Sequence, residues 1–151
     1  MTTTDTEYMK MALVEAQKAY DKDEVPIGAI IVCKGRVIAR AHNLTEMLND
    51  VTAHAEMQAI TAAASNIGGK YLTDCTLYVT VEPCPMCAGA IINSRIPTIV
   101  YGAKEELSGS CGSVLNLFEE RYPHKPAIYG GVKKDECAEV LRSFFQKVRE
   151  K

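Results

Sequence analysis

The chain has 151 residues, of which 47% are hydrophobic and 24% are charged, and its formal net charge is −2. This length and composition are those of a globular protein that buries its own core, which excludes disordered, collagen-like and coiled-coil proteins. The slight excess of acidic residues argues against a surface that coats nucleic acid, because such surfaces are normally basic. We therefore expect one domain over residues 1–151.

The apolar runs and the cysteines bear on the location of the protein. No stretch approaches the roughly 20 apolar residues that a membrane span needs. The polar start MTTTDTE lacks the basic flank and the apolar run of a signal peptide. We therefore predict a soluble, cytoplasmic protein that does not contact membranes, in which the six cysteines are thiols and metal ligands rather than disulfides.

The first half of the chain predicts a helix, a β-hairpin and a second helix. Apolar residues at helical spacing over 6–20 indicate an amphipathic helix. An apolar run over 27–32 and a weaker alternation over 36–41 predict two strands joined by a Lys-Gly turn. Thr52 has the residue type of an N-cap for the second helix, which ends at the glycine pair 68–69.

The second half of the chain alternates between strands and helices. The predicted strands cover 76–81, which is of a buried type, 97–101, and 127–129, which lies at an edge. The predicted helices are a small apolar one over 84–93, a short one over 115–120 and an amphipathic one over 134–148. A Gly/Ser loop covers 102–113. Strand–helix–strand crossovers imply parallel strands with helices over both faces. The expected fold class is therefore α/β, a three-layer α/β/α arrangement around a mixed sheet of about five strands.

Two short segments carry the residue types of a metal site. His54 and Glu56 lie at the start of the second predicted helix, and Cys84 and Cys87 lie where a strand gives way to the third. Two cysteines three positions apart on a first helical turn can direct thiolates at one cation, because the helix N-terminus favours their ionised form. His54, Cys84 and Cys87 would supply three protein ligands and leave the fourth position to water, as in catalytic zinc sites. Glu56 would act there as general acid and base.

The pairing of His54 with Glu56 imposes a condition on the geometry. Residues two apart on a regular helix face nearly opposite directions, so we expect His54 at the helix entrance, where the backbone is irregular. The alternative interpretation of the four residues is a capped helix and two core thiols. We favour the metal because both segments coincide with the order of elements that such a site requires.

The pattern H-x-E followed by P-C-x-x-C resembles the signature of the cytidine deaminase-like superfamily. Within it the chain is most similar to the bacterial tRNA-specific adenosine deaminases, and the matching segments are 24–29, 41–43, 52–56, 77–92, 94–96 and 144–145. The resemblance implies one Zn²⁺ per subunit, conversion of the first anticodon (wobble) adenosine of tRNA to inosine, and a homodimer with the substrate near the subunit interface. It also implies that Asn43 hydrogen-bonds the base, that Val25 lines its pocket and that the backbone at Ala55 assists.

Contacts with RNA are harder to assign than the metal ligands. The candidates are Glu105, Ser108, Phe145, Lys147 and Arg149. The basic residues near the C-terminus are equally consistent with a solvated face, and only one of two adjacent phenylalanines on a helix can face outward. Members of the resembled family usually carry Asp and Lys where this chain has Glu105 and Leu107, and many carry Asn where it has Pro123.

Two other functions remain open at this point. One is a deaminase of free guanine, cytosine or a nucleoside, because Pro85 between the cysteines is shared with guanine deaminases, although segment 88–95 looks more like the tRNA enzymes. The other is a binding module in which zinc only stabilises the fold. A purely structural site has no need of a carboxylate such as Glu56 beside the open ligand position.

Overall fold

A computed structural model describes residues 3–150. The helices are α1 (Thr3–Asp21), α2 (Ala55–Ile67), α3 (Pro85–Ser94) and α4 (Lys134–Arg149). The strands are β1 (Gly28–Cys33), β2 (Arg36–His42), β3 (Cys75–Val81), β4 (Thr98–Ala103) and β5 (Ala127–Tyr129), with a one-turn 3-10 helix at Leu117–Glu119. Among these residues no helix combines the length and the apolar run needed to cross a membrane.

The five strands form one mixed sheet in the order β2-β1-β3-β4-β5. β1 pairs antiparallel with β2 and β3, whereas β3, β4 and β5 run parallel. The β1–β2 turn has positive φ at both Lys34 (51°) and Gly35 (78°), which is the type I′ geometry that fits the twist of a two-residue hairpin. The predicted hairpin and the predicted mixed sheet are both confirmed.

The two faces of the sheet are covered by different helices. Along β1, Ala29 and Ile31 pack with residues of α2 and α3, while Ile30 and Val32 pack with residues of α1 and α4. Side chains of a strand alternate between faces, so a fully apolar strand such as β1 fits only where both faces are buried. The expected three-layer α/β/α fold is therefore confirmed.

The start of α2 differs from the expectation. His54, with φ −69° and ψ 156°, occupies the N-cap position rather than Thr52. The N–H and the hydroxyl of Thr52 both donate to the Asp50 carboxylate, at 2.8 Å and 2.7 Å, so the side chain of Thr52 closes a turn before the helix instead of capping it. The extended backbone at His54 meets the condition that this residue lies at the helix entrance.

Helix α1 lies very close to β1, and it also contacts β2. A Cβ atom added at Gly28 would meet the carbonyl oxygen of Ala12 at 2.0 Å. On the same helix the buried Glu15 carboxylate contacts Lys18 at 2.7 Å and His42 at 3.2 Å. Burial by itself would raise the pKa of Glu15, but these two hydrogen bonds outweigh burial and hold the pKa below its usual 4.5.

Candidate metal centre and substrate pocket

His54, Cys84 and Cys87 converge where α2 and α3 begin. His54 is the N-cap of α2, Cys84 is the N-cap of α3, and Cys87 lies in the first turn of α3. Neither cap side chain bonds its own helix. Instead, Nδ1 of His54 lies 3.6 Å from Sγ of Cys84 and 3.5 Å from Sγ of Cys87. The structure thus brings together the three residues that the spacing had singled out as ligands.

The separation of these atoms fits a zinc ion. Tetrahedral zinc with Zn–S of about 2.3 Å and Zn–N of about 2.0 Å requires an N···S distance of about 3.5 Å, and the two observed distances agree with it. Within residues 3–150 this is the one group of three or more His, Cys, Asp or Glu residues whose ligand atoms are close enough to hold a metal ion. A three-ligand set leaves one coordination position for a non-protein ligand.

The two thiols differ in acidity. The hydrogen bond from Cys87, aided by His54 and opposed by burial, lowers the pKa of Cys84 to about 4. The same hydrogen bond, together with burial, raises the pKa of Cys87 far above its usual value. Cys84 is therefore the more acidic of the two thiols, and metal binding requires both sulfurs as thiolates. This donor set suits a divalent metal rather than a disulfide or a lone reactive thiol.

Glu56 is a buried carboxyl group beside the three ligands. It lies in the first turn of α2, is 4% exposed and contacts the thiol of Cys87. Burial, reinforced by the charge of Cys84, raises the pKa of Glu56 to about 7. A carboxyl group with a pKa near neutrality can both release and accept a proton at physiological pH, which is what a general acid–base catalyst requires.

A pocket opens onto His54, Glu56 and Cys84. Five other residues that the sequence had suggested as substrate or RNA contacts line it as well: Val25, Asn43, Ala55, Glu105 and Ser108. The backbone N–H of Thr45 donates to Oδ1 of Asn43 at 3.3 Å, which holds the carboxamide in place at the wall. Base-sized ligands are commonly recognised in pockets of this kind, with apolar walls and a few fixed polar groups.

The other candidate RNA contacts lie on α4, away from the pocket lining. Phe145 is 46% exposed whereas Phe144 is 4% exposed, so the expectation that one of the pair faces outward is confirmed. Lys147 contacts Asp23 at 3.3 Å and lies 4.2 Å from the centre of the Tyr20 ring. Arg149 is exposed near the end of the helix. Of the two substituted loop positions, Glu105 lines the pocket and Leu107 is exposed to solvent.

Sequence reasoning missed two buried carboxylates at the pocket: Glu82 lines it, and Glu24 directly precedes Val25 of its lining. Glu24 accepts hydrogen bonds from the loop that follows β2, and Glu82 accepts them from the loop that follows β4. One signal in the sequence was available. Glu82 directly follows the apolar strand β3, so its position in the sequence indicated a carboxylate close to the core. A carboxylate buried there needs hydrogen-bond partners.

Comparison with known proteins places this fold and site among the deaminases. A model of the MafB19-like deaminase family matches residues 3–149. The chain is 48% identical to the tRNA-specific adenosine deaminase of Bacillus subtilis over 150 residues, which cover 99% of this chain and 93% of the relative. A structure solved in studies of A-to-I editing by tRNA:A34 deaminases at the wobble position of transfer RNA is 47% identical, with a TM-score of 0.88, over 90% of this chain and 99% of that one. A guanine deaminase from Nitrosomonas europaea shares the fold at 22% identity, with a TM-score of 0.82 over 92% of this chain and 83% of that one.

The three-layer α/β/α fold, with a His/Cys/Cys group at two helix N-termini, defines the chain as a cytidine deaminase-like protein. More narrowly, the extent and identity of these matches show that it belongs to the MafB19-like deaminase family and, within the deaminases, to the tRNA-specific adenosine deaminases.

Proposed function

We propose that the protein hydrolyses adenosine to inosine at the first anticodon position of tRNA, with release of ammonia and with one zinc ion per subunit. The observation that carries this proposal is the convergence of His54, Cys84 and Cys87 beside the buried Glu56, at the end of a pocket. The names of the similar proteins support adenosine in tRNA as the substrate class.

Glu56 moves the protons of this reaction. His54, Cys84 and Cys87 would hold the zinc ion, which when bound would lower the pKa of a water molecule toward neutrality and so make it a nucleophile for C6 of adenine. Glu56 takes up the proton that the water releases and delivers it to N1 of the ring. Glu56 then takes the proton of the new C6 hydroxyl and passes it to the exocyclic nitrogen, so that the C6–N bond breaks, ammonia leaves and the C6 carbonyl forms. The raised pKa of Glu56 suits transfers in both directions.

The pocket selects the base. Its volume of about 230 Å³ lies below the roughly 300–1,000 Å³ of pockets for drug-sized ligands. This size suits a single base that has left the stack, as in enzymes that act on loop nucleotides. Asn43 holds the polar edge of the base and Val25 packs against its ring. Ala55 offers a backbone N–H from the first turn of α2, where such groups have no partner within the helix.

The RNA strand continues from the pocket across two surfaces. Glu105 and Ser108 contact the nucleotides next to the target adenosine, because they line the pocket wall. Phe145 stacks on a base and Arg149 pairs with a phosphate, since both are exposed on α4. Lys147 contributes less than Arg149, because Asp23 already engages its ammonium group.

We further propose a cytoplasmic homodimer. Apolar side chains on the loop between β2 and α2 are exposed in the single chain, with Met47 60% and Val51 84% accessible. A second copy covering that loop would bury this apolar surface close to the pocket. Sedimentation equilibrium measures the assembly directly: a dimer mass is expected, and a monomer at micromolar concentration contradicts the proposal.

A panel of substrates tests the proposed reaction. Zinc-loaded protein is offered a tRNA with adenosine at the wobble position, its anticodon stem-loop, free adenosine, guanine and cytosine, and inosine and ammonia are measured. We expect turnover of the tRNA and the stem-loop only. Turnover confined to guanine, cytosine or a free nucleoside would replace the proposal by the free-base alternative.

The variant Glu56→Gln separates catalysis from a structural role of the metal. The amide keeps the shape of the side chain but cannot transfer the proton, so the variant should bind zinc normally and lose at least about 100-fold in kcat. Glu7→Gln is the matched control, because Glu7 is an exposed carboxylate on α1 that pairs with Lys10. If Glu56→Gln retained the wild-type kcat, Glu56 would not be the group that transfers the proton; if the wild-type protein bound zinc but turned over no substrate, the metal would serve only the fold and the protein would be a binding module.

A further inference from the structure

Two buried carboxylates outside the metal group lie at the pocket: Glu82 lines it, and Glu24 directly precedes Val25, which also lines it. Glu24 is 1% exposed and Glu82 is 3% exposed. Among residues 3–150 neither forms an ion pair with a lysine, arginine or histidine. A buried carboxylate without a cation is costly unless hydrogen bonds stabilise it. The donors of those hydrogen bonds therefore identify what each carboxylate holds in place.

Glu82 binds the loop that follows β4. Its Oε1 accepts from the backbone N–H of Glu105 at 3.1 Å and from the hydroxyl of Ser113. Its Oε2 accepts from the N–H groups of Cys111 at 2.8 Å and Ser113 at 3.1 Å. All four donors belong to residues 105–113, so this loop is folded around one carboxylate.

The packing around Glu82 leaves no room for a larger residue in the loop. A Cβ atom at Gly109 would lie 2.5 Å from Oε2 of Glu82 and 2.5 Å from the carbonyl oxygen of Glu105. The same loop contributes Glu105 and Ser108 to the pocket wall. The position of this wall relative to the metal ligands is therefore set by Glu82, which lies two residues before Cys84 in the sequence.

Glu24 binds the loop that follows β2. Its Oε1 accepts from the N–H of Glu46 at 2.9 Å and its Oε2 from the N–H of Met47 at 2.7 Å. Every residue over 46–52 is exposed, so burial of apolar side chains contributes little to the stability of this loop. The loop begins with Asn43 and Thr45, which line the pocket, and Glu24 itself directly precedes Val25 of the same wall.

We propose that Glu24 and Glu82 are positioning residues, each of which fixes one of the two loops that wall the pocket and so presets the surface that receives the RNA strand. The identity of the bound strand rests on the function proposed above, whereas the anchoring is a property of the resting protein. A loop that has lost its hydrogen bonds to the carboxylate must become ordered when the substrate binds. The free energy needed for this ordering weakens binding, so it raises KM more than it lowers kcat.

Hydrogen exchange in the resting, zinc-loaded protein tests the anchoring. In Glu82→Gln and Glu24→Gln, an NH₂ group replaces one carboxylate oxygen and faces the backbone N–H groups that it must accept from. We expect exchange at least about 10-fold faster at the loop amides bonded to the substituted residue and unchanged rates at the other loop. Glu7→Gln again serves as the control. Unchanged exchange in both variants overturns the proposal.

Kinetics on the wobble-adenosine stem-loop test the consequence. Each variant should raise KM at least about 10-fold, change kcat less than about threefold, and retain one zinc per chain. A fall in kcat at constant KM, or loss of zinc, overturns the proposal and assigns the residue to the metal site. Failure of the wild-type protein to deaminate any RNA refutes the proposed function instead, and the exchange rates still decide the anchoring.

A second variant, Gly109→Ala, tests the role of Glu82 if the Glu82→Gln protein does not fold. Gly109→Ala leaves Glu82 intact but inserts a methyl group between the loop and the carboxylate. It should reproduce both the faster exchange at residues 105–113 and the higher KM. A Gly109→Ala protein with wild-type exchange and wild-type KM overturns the role of Glu82.

Discussion

The close approach of α1 to β1 makes Gly28→Ala a severe substitution. The new Cβ would lie 2.0 Å from the carbonyl oxygen of Ala12 and 2.5 Å from the amide nitrogen of Ala16, whereas real Cβ contacts essentially never fall below 3.0 Å. Both neighbours are backbone atoms, so no side-chain rotation relieves the clash. Helix α1 must therefore move away from the sheet by about 1 Å, which opens the packed layer between them.

The expected loss of stability is about 3 kcal/mol, at the upper end of the range for overpacked cores. For a chain of this size that corresponds to a fall in Tm of about 6–12 °C. Urea unfolding followed by circular dichroism, at fixed protein and zinc concentrations, measures the change. Gly89→Ala is the matched control, since its Cβ meets nothing within 4 Å on α3, and alanine in a helix should add about 0.5–1 kcal/mol. A Gly28→Ala protein within 0.5 kcal/mol of wild type, on the order of a surface change, would refute this description of the α1–β1 contact.

Two further predictions concern α1 and α4. Because the folded pKa of Glu15 lies below its usual 4.5, its carboxylate contributes stability above that pH and loses it as the pH falls through the folded pKa. Wild type should therefore be more stable than Glu15→Gln at pH 7, and urea titrations should show the difference shrinking as the pH falls below 4.5; a difference that grows toward acid pH contradicts this. Phe145→Ala should weaken stem-loop binding by about 1–3 kcal/mol and leave stability within about 0.5 kcal/mol. Phe144→Ala should instead lower the free energy of unfolding by about 3–5 kcal/mol. If binding and unfolding assays showed that Phe144→Ala weakens RNA binding and Phe145→Ala lowers stability, the exposed face of α4 would not be the RNA face.

The parts of the structure that the sequence predicted are those that depend on local order. The five strands and four α-helices follow from apolar periodicity and turn residues. His54, Cys84 and Cys87 could be predicted from the sequence as one set of metal ligands. Each lies at or beside the start of a helix, where the spacing of residues along the chain largely determines which way their side chains point. The start of α2 was placed at the wrong residue because Asp50 captures the side chain of Thr52, a local competition that residue types alone do not decide.

The anchors of the pocket walls could not be predicted in the same way. Glu24 is 22 and 23 residues away from its partners, and Glu82 is 23 to 31 residues away from its own. Most of these partners are backbone N–H groups, which every residue except proline carries, so no residue pattern marks them. Only the folded chain shows that both carboxylates are buried and that both accept hydrogen bonds from loops that contribute to the pocket lining.

X-ray absorption at the zinc edge measures the metal site itself, because it gives the number and type of the atoms bound to the ion. We expect one zinc per chain with two sulfur neighbours at about 2.3 Å, one imidazole nitrogen at about 2.0 Å and one further light atom that is not from the protein. A site with three or four sulfurs, or a Cys84→Ser protein with an unchanged spectrum, would contradict this expectation.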